Sequence, residues 1–384
     1  MLSDSGLLSE ARQIAGLQDY GNMAFAEGLG VLAKSINEEA ALTPDHEALF
    51  KNELLRLLVN RLRMQRDLVQ HPEILDEQIL PPVYITSMPR TGSTKLHRLM
   101  AATGDFNYLR YWQQYHFAPF PDSASVTPDP RIAAAEAHLQ WEYAKSPEFH
   151  ITHPMYTEEA EEEILLLDAG FNSLYLHVAL VNVPGYAQWV LSRDGLEAYR
   201  DLRRMLQYLQ WQHYRGRNKR WVLKTPSTFG VEGDFARVFG GTDFIVSHRH
   251  PEQFIASAAR QFRAVRRLYS DVDYSSIAGE GMLYNFAEML NGHLQWRDNY
   301  PAHKVIDVRF QDVIKDELKL LQNIYDFLGM EFTQQSTDNV LAWIAMDAKR
   351  EHKRTPLSLS DFNLTPEAVS ERLRDYIQRY AAFM

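Results

Sequence analysis

The sequence predicts an α/β protein of three layers, with helices on both faces of a central parallel sheet and a helical extension before it. Three segments, 83–87, 220–224 and 242–250, are predicted to contain strands because each is short and rich in β-branched, aromatic or other apolar residues. A fourth predicted strand covers 304–310, and segments with helical periodicity separate the four. Strands that alternate with helices indicate parallel pairing, with the helices on the faces of the sheet.

Residues 1–78 are predicted to form the helical extension, packed on a main domain of residues 79–384. Apolar residues recur every three or four positions throughout 5–75, and Thr43 is a suitable N-cap with Pro44 at the first helical position. The main domain has a helical insertion near 129–215, with helices expected at 129–145, 158–182 and 195–215. Packing is the favoured role for the extension, over shaping a substrate pocket or a dimer contact.

Composition excludes several classes of function. The 384 residues include 40 basic and 50 acidic side chains, and the net charge of −10 argues against nucleic acid as a partner. The chain has no cysteine, which excludes disulfides, thiolate catalysis and Cys-ligated metal and agrees with a cytoplasmic protein. We also expect no membrane span, since no apolar run reaches the length of about 18 residues that one requires.

The loop after the first predicted strand has the features of a phosphate-binding site. Backbone N–H groups and the positive end of a helix dipole are expected to converge there. Arg90 adds a positive charge, Gly92 allows close approach of the backbone, and Ser93 and Thr94 add hydroxyl donors. The loop is P-loop-like, but it is not a Walker A motif, because Lys95 does not directly follow the glycine. Alone it is a moderate signal for a bound phosphate.

Two further basic residues follow other predicted strands. Lys224 ends the strand at 220–224, and Arg249 lies in the basic cluster at the end of the next one. Ligands of parallel sheets bind at the carboxyl ends of the strands, so these side chains and Arg90 are expected to converge on one crevice. Three converging cations predict an anionic ligand.

The chain resembles, over residues of about 80–365, the sulfotransferases that use 3′-phosphoadenosine 5′-phosphosulfate (PAPS), in the bacterial branch whose loop reads Pro-Arg-[Ser/Thr]-Gly-[Ser/Thr]-Thr. Four separated pieces occur in the order typical of that family. They are the loop itself, Leu223-Lys224-Thr225-Pro226, Arg249 with Ser257 eight residues later, and a basic segment before Ser358-Leu359-Ser360-Asp361-Phe362.

The resemblance implies a function and a set of site residues. It implies sulfuryl transfer from PAPS to a hydroxyl of a small molecule, giving adenosine 3′,5′-diphosphate, with no metal required; a homodimer is left open. Charge on the leaving group would be stabilised by Arg90 and Lys224. The implied donor-binding residues are Arg90, Thr91, Gly92, Ser93, Thr94 and Lys95 for the 5′-phosphosulfate, and Arg249, Ser257, Lys353 and Arg354 for the 3′-phosphate.

The resemblance does not assign a general base, because the chain departs from the family at two positions. Thr228 and Gln113 stand where relatives often carry histidine and glutamate, and neither side chain is an effective base near neutral pH. His116 is the first alternative candidate, followed by His153 and Glu162. The aromatic segment 108–120 suggests an apolar acceptor, although a loop that only covers the core is equally compatible.

Four other points remain open: two alternative functions and the roles of two charged segments. A P-loop-type kinase or nucleotide hydrolase would need an acidic Mg²⁺ ligand, for which Asp307 is the obvious candidate. A protein of the same fold that binds nucleotide without catalysis would also explain Thr228 and Gln113. The glutamates within 158–163 are interpreted as complements to a helix dipole, in preference to metal ligands. The arginines at 260, 263, 266 and 267 are expected to pair with acidic helices, in preference to holding an anionic acceptor or gating the cofactor.

Overall fold

The computed structural model of the chain describes residues 1–123, 126–173, 176–272, 275–350 and 358–384. The predicted 3′-phosphate ligands Lys353 and Arg354 therefore lie outside the described residues. Among the helices in those ranges, none combines the length and the apolar character that a membrane crossing requires.

In the described part of the chain, four parallel strands form the central sheet, in the spatial order β2-β1-β3-β4. The register places Tyr84 of β1 opposite Leu223 of β2 and Phe244 of β3. All four predicted strands are confirmed, and their carboxyl ends share one edge of the sheet. The strands are β1 (Val83–Ile85), β2 (Val222–Lys224), β3 (Asp243–His248) and β4 (Val305–Arg309).

Helices make up most of the remaining described chain. In chain order they are α1 (Asp4–Ala15), α2 (Phe25–Glu39), α3 (Pro44–Gln70), α4 (Ser93–Ala102), α5 (Tyr111–Tyr115), α6 (Pro130–Lys145), α7 (Pro147–Thr152), α8 (Ile164–Ala169), α9 (Leu176–Leu180), α10 (Pro184–Leu191), α11 (Leu196–His213), α12 (Glu232–Phe239), α13 (Pro251–Arg266), α14 (Ser275–Asn299), α15 (Phe310–Lys315), α16 (Glu317–Leu328), α17 (Gln334–Asp347), α18 (Pro366–Arg372) and α19 (Arg374–Arg379). Short 3₁₀ turns lie at Pro72–Asp76, Pro226–Thr228, Leu359–Phe362 and Ala381–Phe383.

Both faces of the sheet are buried, as the prediction of three layers requires. Tyr84, Leu223 and Phe244 point to one face and belong to a core that includes α1–α3 and α11. Val83 and Ile85, one position away in β1, point to the other face and pack with α4 and α16. Side chains alternate between the faces of a strand, so a run that is buried throughout indicates cover on both sides.

The N-terminal helices agree largely with the prediction. Thr43 accepts a hydrogen bond from the His46 N–H at 3.3 Å, and Pro44 opens α3. The predicted continuous helical pattern is wrong between 16 and 24, because α1 ends at Gly16 in the left-handed conformation and α2 starts only at Phe25. The extension shares its core with the helical insertion and the sheet, and the division at residue 78 stays a prediction.

The insertion near 129–215 is helical in part. The helices predicted at 129–145 and 195–215 are confirmed as α6 and α11. The single helix predicted over 158–182 is wrong, because the chain up to Glu163 is irregular and Ala160 forms a bridge with Arg110. Among the described residues of this range, two short helices follow, α8 and α9, and Phe171 between them adopts a φ of 50°. Residues 158–163 are called the acidic stretch below.

Candidate active site

The predicted phosphate loop joins β1 to the N-terminus of α4. Gly92 has a φ of 87°, and a Cβ there would lie 3.0 Å from the ring of Phe310, so glycine serves both the turn and the close packing. Arg90 also has a positive φ, 69°. A non-glycine residue in this region costs on the order of 1–3 kcal/mol and is typical of functional sites.

The loop arginine meets the two residues predicted from the second motif. The Nε of Arg90 donates to the Ser257 hydroxyl at 3.0 Å, and its Nη1 donates to the Thr152 carbonyl. Arg249 donates from Nη1 to the Arg90 carbonyl at 2.9 Å, and its guanidinium lies 4.1 Å from the centre of the Phe310 ring. The structure therefore brings Arg90, Arg249 and Ser257 together at the carboxyl edge of the sheet.

Lys224 reaches the same loop from the end of β2. Its ammonium donates to the Thr94 hydroxyl at 3.0 Å and forms an ion pair with Glu162. The Lys224 side chain is only 1% exposed, so this pairing is what makes its burial tolerable, because an unpaired buried ammonium would lose its hydration without compensation. Lys224, Thr94 and Glu162 thus form a second cluster beside the loop.

The remaining loop residues contact neighbouring parts of the protein. The Thr91 hydroxyl donates to the Met88 carbonyl at 2.8 Å, and the Thr91 carbonyl accepts from the Ser247 hydroxyl at 2.6 Å. These two bonds fix the shape of the loop. Lys95 forms an ion pair of 2.6 Å with Glu317 of α16, and Ser93 begins α4 immediately after Gly92.

The acidic stretch crosses this edge of the sheet, and its carboxylates bind cations and hydroxyls rather than a helix dipole. The contacts are Glu159 with Arg98 (3.1 Å) and Arg350 (2.6 Å), Glu161 with Arg98 (3.3 Å) and His153 (3.4 Å), Glu162 with Lys224, and Glu163 with the hydroxyl of Tyr84 (2.6 Å) and the N–H of Lys224 (3.0 Å). The dipole interpretation is wrong, since these residues precede a helix of only six residues and face other partners. The sequence analysis did not predict that these glutamates pair with cations at the sheet edge. The signal for such pairing was a run of glutamates in a chain whose strands end in basic residues.

Two neighbouring carboxyls of this stretch differ in their pKa. Burial raises the pKa of Glu163 to about 7, and the nearby Glu162 adds to the rise. Burial also acts to raise the pKa of Glu161, but the charges of His153, Lys224 and Arg98 outweigh it and hold that pKa well below its ordinary value. Glu161 is therefore ionised at neutral pH, whereas Glu163 exchanges its proton near pH 7.

A largely apolar cavity of about 90 Å³ lies next to the Lys224–Glu162 pair. Its apolar lining includes Phe149, Met155, Ile164, Leu165, Val265 and Leu268. Tyr111 and Tyr115 contribute to the wall from the aromatic segment, and His153, Glu161 and Glu162 are also among its lining residues. A small apolar molecule in this cavity would thus contact both an imidazole and a carboxylate.

The candidate bases occupy different places. His116 is not among the residues that line the cavity, and burial with nearby arginines lowers its pKa to about 3, which makes it a weak base at neutral pH. His153 and Glu162 both line the cavity. His116 stays a prediction, and the geometry favours the other two candidates.

The two departures from the family have structural explanations. Thr228 is fully buried and its hydroxyl forms hydrogen bonds with the hydroxyls of Tyr84 and Tyr199. Gln113 accepts from the Arg110 N–H at 3.0 Å and caps α5. Neither residue lines the cavity.

The geometry around Asp307 does not favour the kinase or nucleotide-hydrolase interpretation, which needs this residue as a Mg²⁺ ligand. Asp307 lies inside β4 and binds Arg297 through both oxygens, at 2.8 and 3.0 Å, and His248 at 2.9 Å. Burial opposes its ionisation, but the hydrogen bonds from His248 and Arg297 lower its pKa to about 2. A carboxylate so fully engaged is poorly placed to hold Mg²⁺.

A potential metal-binding group is formed by His153, Glu161 and Glu162, whose ligand atoms lie within 4.8 Å of one another. Lys224 and Arg98 already contact these carboxylates, and their positive charges would repel a metal ion.

Three of the four arginines at positions 260, 263, 266 and 267 have described contacts with other parts of the protein. Arg260 and Arg263 bind Glu148 at 2.7 and 2.9 Å, and Arg266 donates to the Val178 carbonyl at 2.7 Å. The first two contacts agree with the expected pairing between this helix and an acidic neighbour.

Comparisons with known proteins agree with this geometry. The model described as the Sulfotransferase family matches residues 81–334, which is more than half of the chain. The sulfotransferase STF1 from Mycobacterium tuberculosis is 27% identical with a TM-score of 0.83, and the match covers 97% of this chain and 99% of that one. The sulfotransferase STF9 from Mycobacterium avium shares the fold, with 20% identity, a TM-score of 0.86 and coverage of 99% and 97%. No curated protein sequence matches the chain.

Proposed function

This chain belongs to the sulfotransferase family, and we propose that it transfers a sulfuryl group from PAPS to a hydroxyl of a small apolar acceptor. The observation that carries the proposal is the contact between Arg90, Arg249 and Ser257 at the edge where Lys224 also arrives. A doubly phosphorylated adenosine needs cations and hydroxyl donors at two places, and these four residues supply them on one edge of the sheet.

The donor would bind along this edge in two parts. The backbone N–H groups of residues 91–94 and the start of α4 would hold the 5′-phosphosulfate, as helix N-termini hold anions generally. Arg249 and Ser257 would hold the 3′-phosphate, with Lys353 and Arg354 as further ligands. Lys95, paired with Glu317, would contribute its backbone and a weaker electrostatic attraction.

The reaction would be an in-line displacement at sulfur. A bond forms between the acceptor oxygen and sulfur, and the bond from sulfur to the bridging oxygen breaks, leaving its electron pair on adenosine 3′,5′-diphosphate. Lys224, fixed by Thr94, and Arg90 would stabilise the charge that develops on that oxygen. Electrostatic stabilisation of this kind is usually the largest catalytic contribution.

The acceptor would occupy the apolar cavity with its hydroxyl towards the acidic stretch. Glu162 and His153 both line this cavity, and one of them would take the proton of the acceptor. The cavity of about 90 Å³ lies below the roughly 300 Å³ at which drug-sized sites begin, so we expect an acceptor with a body of one ring or a short chain.

Turnover with PAPS tests the proposal. We expect the protein to form adenosine 3′,5′-diphosphate and a sulfated phenol from PAPS and para-ethylphenol, without added metal. Arg90→Ala should lower kcat by about 10²–10³-fold, the scale of losing one charge-stabilising donor. Arg200→Ala is the matched control, because Arg200 is 60% exposed on α11 and pairs only with Glu197 among the described residues.

Different results would separate the competing functions. Near wild-type turnover of Arg90→Ala would remove this arginine from the mechanism. Tight binding of adenosine 3′,5′-diphosphate without transfer to any of a broad panel of phenols and alcohols would indicate a nucleotide-binding protein that has lost catalysis. Magnesium-dependent ATP hydrolysis would instead favour the kinase or hydrolase alternative.

A further inference from the structure

Three tyrosines in the lining of the apolar cavity carry hydroxyls that the proposed transfer does not use. Tyr111 and Tyr115 belong to α5, and Tyr269 follows the C-terminal end of α13. All three residues are buried, with 3%, 8% and 3% of their surface exposed. Among the described residues, no hydrogen bond engages these hydroxyls, although a buried tyrosine usually finds a partner for its hydroxyl.

These hydroxyls differ from the polar atoms that are sealed inside the protein. None of the three oxygens is among the fully buried polar atoms that lack a partner, so each keeps contact with open space. Because their residues line the cavity and are otherwise buried, that space is the cavity. By contrast, the carboxylates of Glu53 and Glu162 in the same wall are bound by Arg56 and Lys224. The three hydroxyls are therefore available to a molecule in the cavity.

The two tyrosines of α5 hold their rings side by side. They are four positions apart, so they project from the same face of the helix, and their rings are nearly parallel, at 11°, with centres 5.8 Å apart. A hydrogen bond between a hydroxyl and an oxygen spans about 2.7–2.8 Å, so one oxygen between two hydroxyls at this spacing would reach both. Tyr115 also lies close enough to Tyr269 to raise its pKa. We call these three hydroxyls the tyrosine patch.

At neutral pH the hydroxyls of the tyrosine patch are hydrogen-bond donors. Burial raises the pKa of all three, and the nearby carboxylates of Glu53 and Glu142 raise it further, so each hydroxyl keeps its proton. An apolar molecule that fills the cavity would displace the water that hydrates these donors and leave them unpaired, which is costly. A molecule with an oxygen that accepts their hydrogen bonds avoids this cost.

A carbonyl oxygen fits the tyrosine patch better than a carboxylate does. The carbonyl accepts two hydrogen bonds and adds no donor that would need a partner of its own. A carboxylate also accepts such bonds, but no lysine or arginine is found among the described residues that line the cavity. The carboxylate would therefore lose its hydration without a cation to compensate.

We propose that Tyr111, Tyr115 and Tyr269 are specificity-determining residues whose hydroxyls bind a carbonyl oxygen on the acceptor. The proposal rests on the proposed function, because the hydroxyl that is sulfated is assigned to the side of Glu162 and His153. The acceptor class is then a phenol or alcohol with a short apolar body that also carries a ketone, ester or amide group.

Three phenols of the same shape test this selectivity: para-hydroxyphenylacetone, para-isobutylphenol and para-hydroxyphenylacetate. In each, a methylene group separates the ring from the part that differs, so the acidity of the phenol changes little. For the wild-type protein, kcat/KM should be higher for the ketone than for para-isobutylphenol by roughly 10–100-fold, the range for leaving a buried donor unpaired. The carboxylate should be the poorest acceptor of the three.

Removing the hydroxyls one at a time separates binding from folding. Tyr111→Phe, Tyr115→Phe and Tyr269→Phe should each lower the ratio of ketone to para-isobutylphenol by about 3–10-fold. Their midpoints of urea unfolding should stay the same or rise, because these hydroxyls have no partner within the described protein. Tyr214→Phe is the matched control, since Tyr214 is buried outside the cavity wall and its hydroxyl donates to the Tyr108 carbonyl at 2.6 Å. The control should lower the midpoint and leave the ratio unchanged.

Infrared spectroscopy with adenosine 3′,5′-diphosphate present gives a readout that does not require turnover. The stretch of an isotope-labelled carbonyl in bound para-hydroxyphenylacetone should lie at lower frequency in the wild type than in the double variant Tyr111→Phe/Tyr115→Phe, because hydrogen bonds weaken the C=O bond. In calorimetry the ketone should bind the double variant about tenfold or more weakly, while the affinity of para-isobutylphenol differs far less. The preference of the wild-type protein needs no variant, so poor folding of a variant leaves that test in place.

The outcomes separate this proposal from the proposed function. Sulfation of para-isobutylphenol as efficiently as the ketone would overturn the carbonyl site and leave the sulfotransfer intact, and so would a preference for the carboxylate. Tyrosine-dependent binding of the ketone without any sulfation would support the carbonyl site and overturn the sulfotransfer. An unchanged ratio in all three single variants would refute the role of these tyrosines.

Discussion

Glu163→Gln should abolish a loss of stability that the wild-type protein suffers as pH rises through neutrality. Glu163 is fully buried, accepts from the Tyr84 hydroxyl at 2.6 Å and accepts from the Lys224 N–H at 3.0 Å. Burial raises its pKa from 4.5 to about 7. Glutamine has nearly the same shape and does not titrate, so the variant isolates the contribution of the proton.

The magnitude follows from the difference between the folded and unfolded pKa. Below pH 4.5 both the folded and the unfolded state bind the proton, so the group does not change the free energy of unfolding. Between pH 4.5 and 7 the unfolded chain releases the proton while the folded protein keeps it, so the free energy of unfolding falls as pH rises. A difference of about 2.5, at about 1.36 kcal/mol for each pKa unit, gives a total loss of about 3 kcal/mol by pH 8.

Urea unfolding of both proteins at pH 4, 6 and 8 measures this effect. The free energy of unfolding of Glu163→Gln, relative to wild type, should rise by about 3 kcal/mol from the lowest to the highest pH. A constant offset of about 1–3 kcal/mol is also expected, since the glutamine amide accepts only one of the two hydrogen bonds. Glu158→Gln, in the same stretch but 57% exposed, should show no such rise. Parallel curves for wild type and Glu163→Gln would refute the reasoning.

Two further predictions concern the donor and the base. Arg249→Ala should weaken binding of adenosine 3′,5′-diphosphate by about 2–5 kcal/mol in calorimetry, because it removes one partner of a close charge pair, and should leave adenosine 5′-phosphate nearly unaffected; equal losses for both nucleotides would contradict a 3′-phosphate site. Among Glu162→Gln and His153→Asn, the variant that lacks the base should lose about 10²–10⁴-fold in kcat with para-ethylphenol and much less with the more acidic para-nitrophenol. If both variants treat the two phenols alike, neither residue is the base.

The sheet and the phosphate loop could be predicted because their signals are local. The residues of β1, the turn at Gly92 and the periodicity of α4 are contiguous, and the order of strands and helices then fixes which ends meet. Arg90, Lys224 and Arg249 were expected at one edge for that reason, and the structure brings them there.

The acidic stretch could not be predicted in the same way, because its partners are distant in the sequence. Glu162 and Glu163 meet Lys224 only through the fold, and Glu159 meets Arg350 across almost two hundred positions. Periodicity suggested one helix here, but burial of these carboxylates against cations outweighs helix propensity, which is a weak preference.

The acidic stretch takes part in both halves of the candidate site, and this has a consequence for how specificity can diverge. A change at Glu161 or Glu162 alters the cavity wall and, through Lys224, the electrostatics of the donor edge as well. Side chains of α6 also line the cavity, and none of the described hydrogen bonds and ion pairs joins α6 to Lys224. A change in the α6 wall can therefore alter the binding of the acceptor while the contacts of Lys224 at the proposed donor site are kept, whereas a change in the acidic stretch affects both.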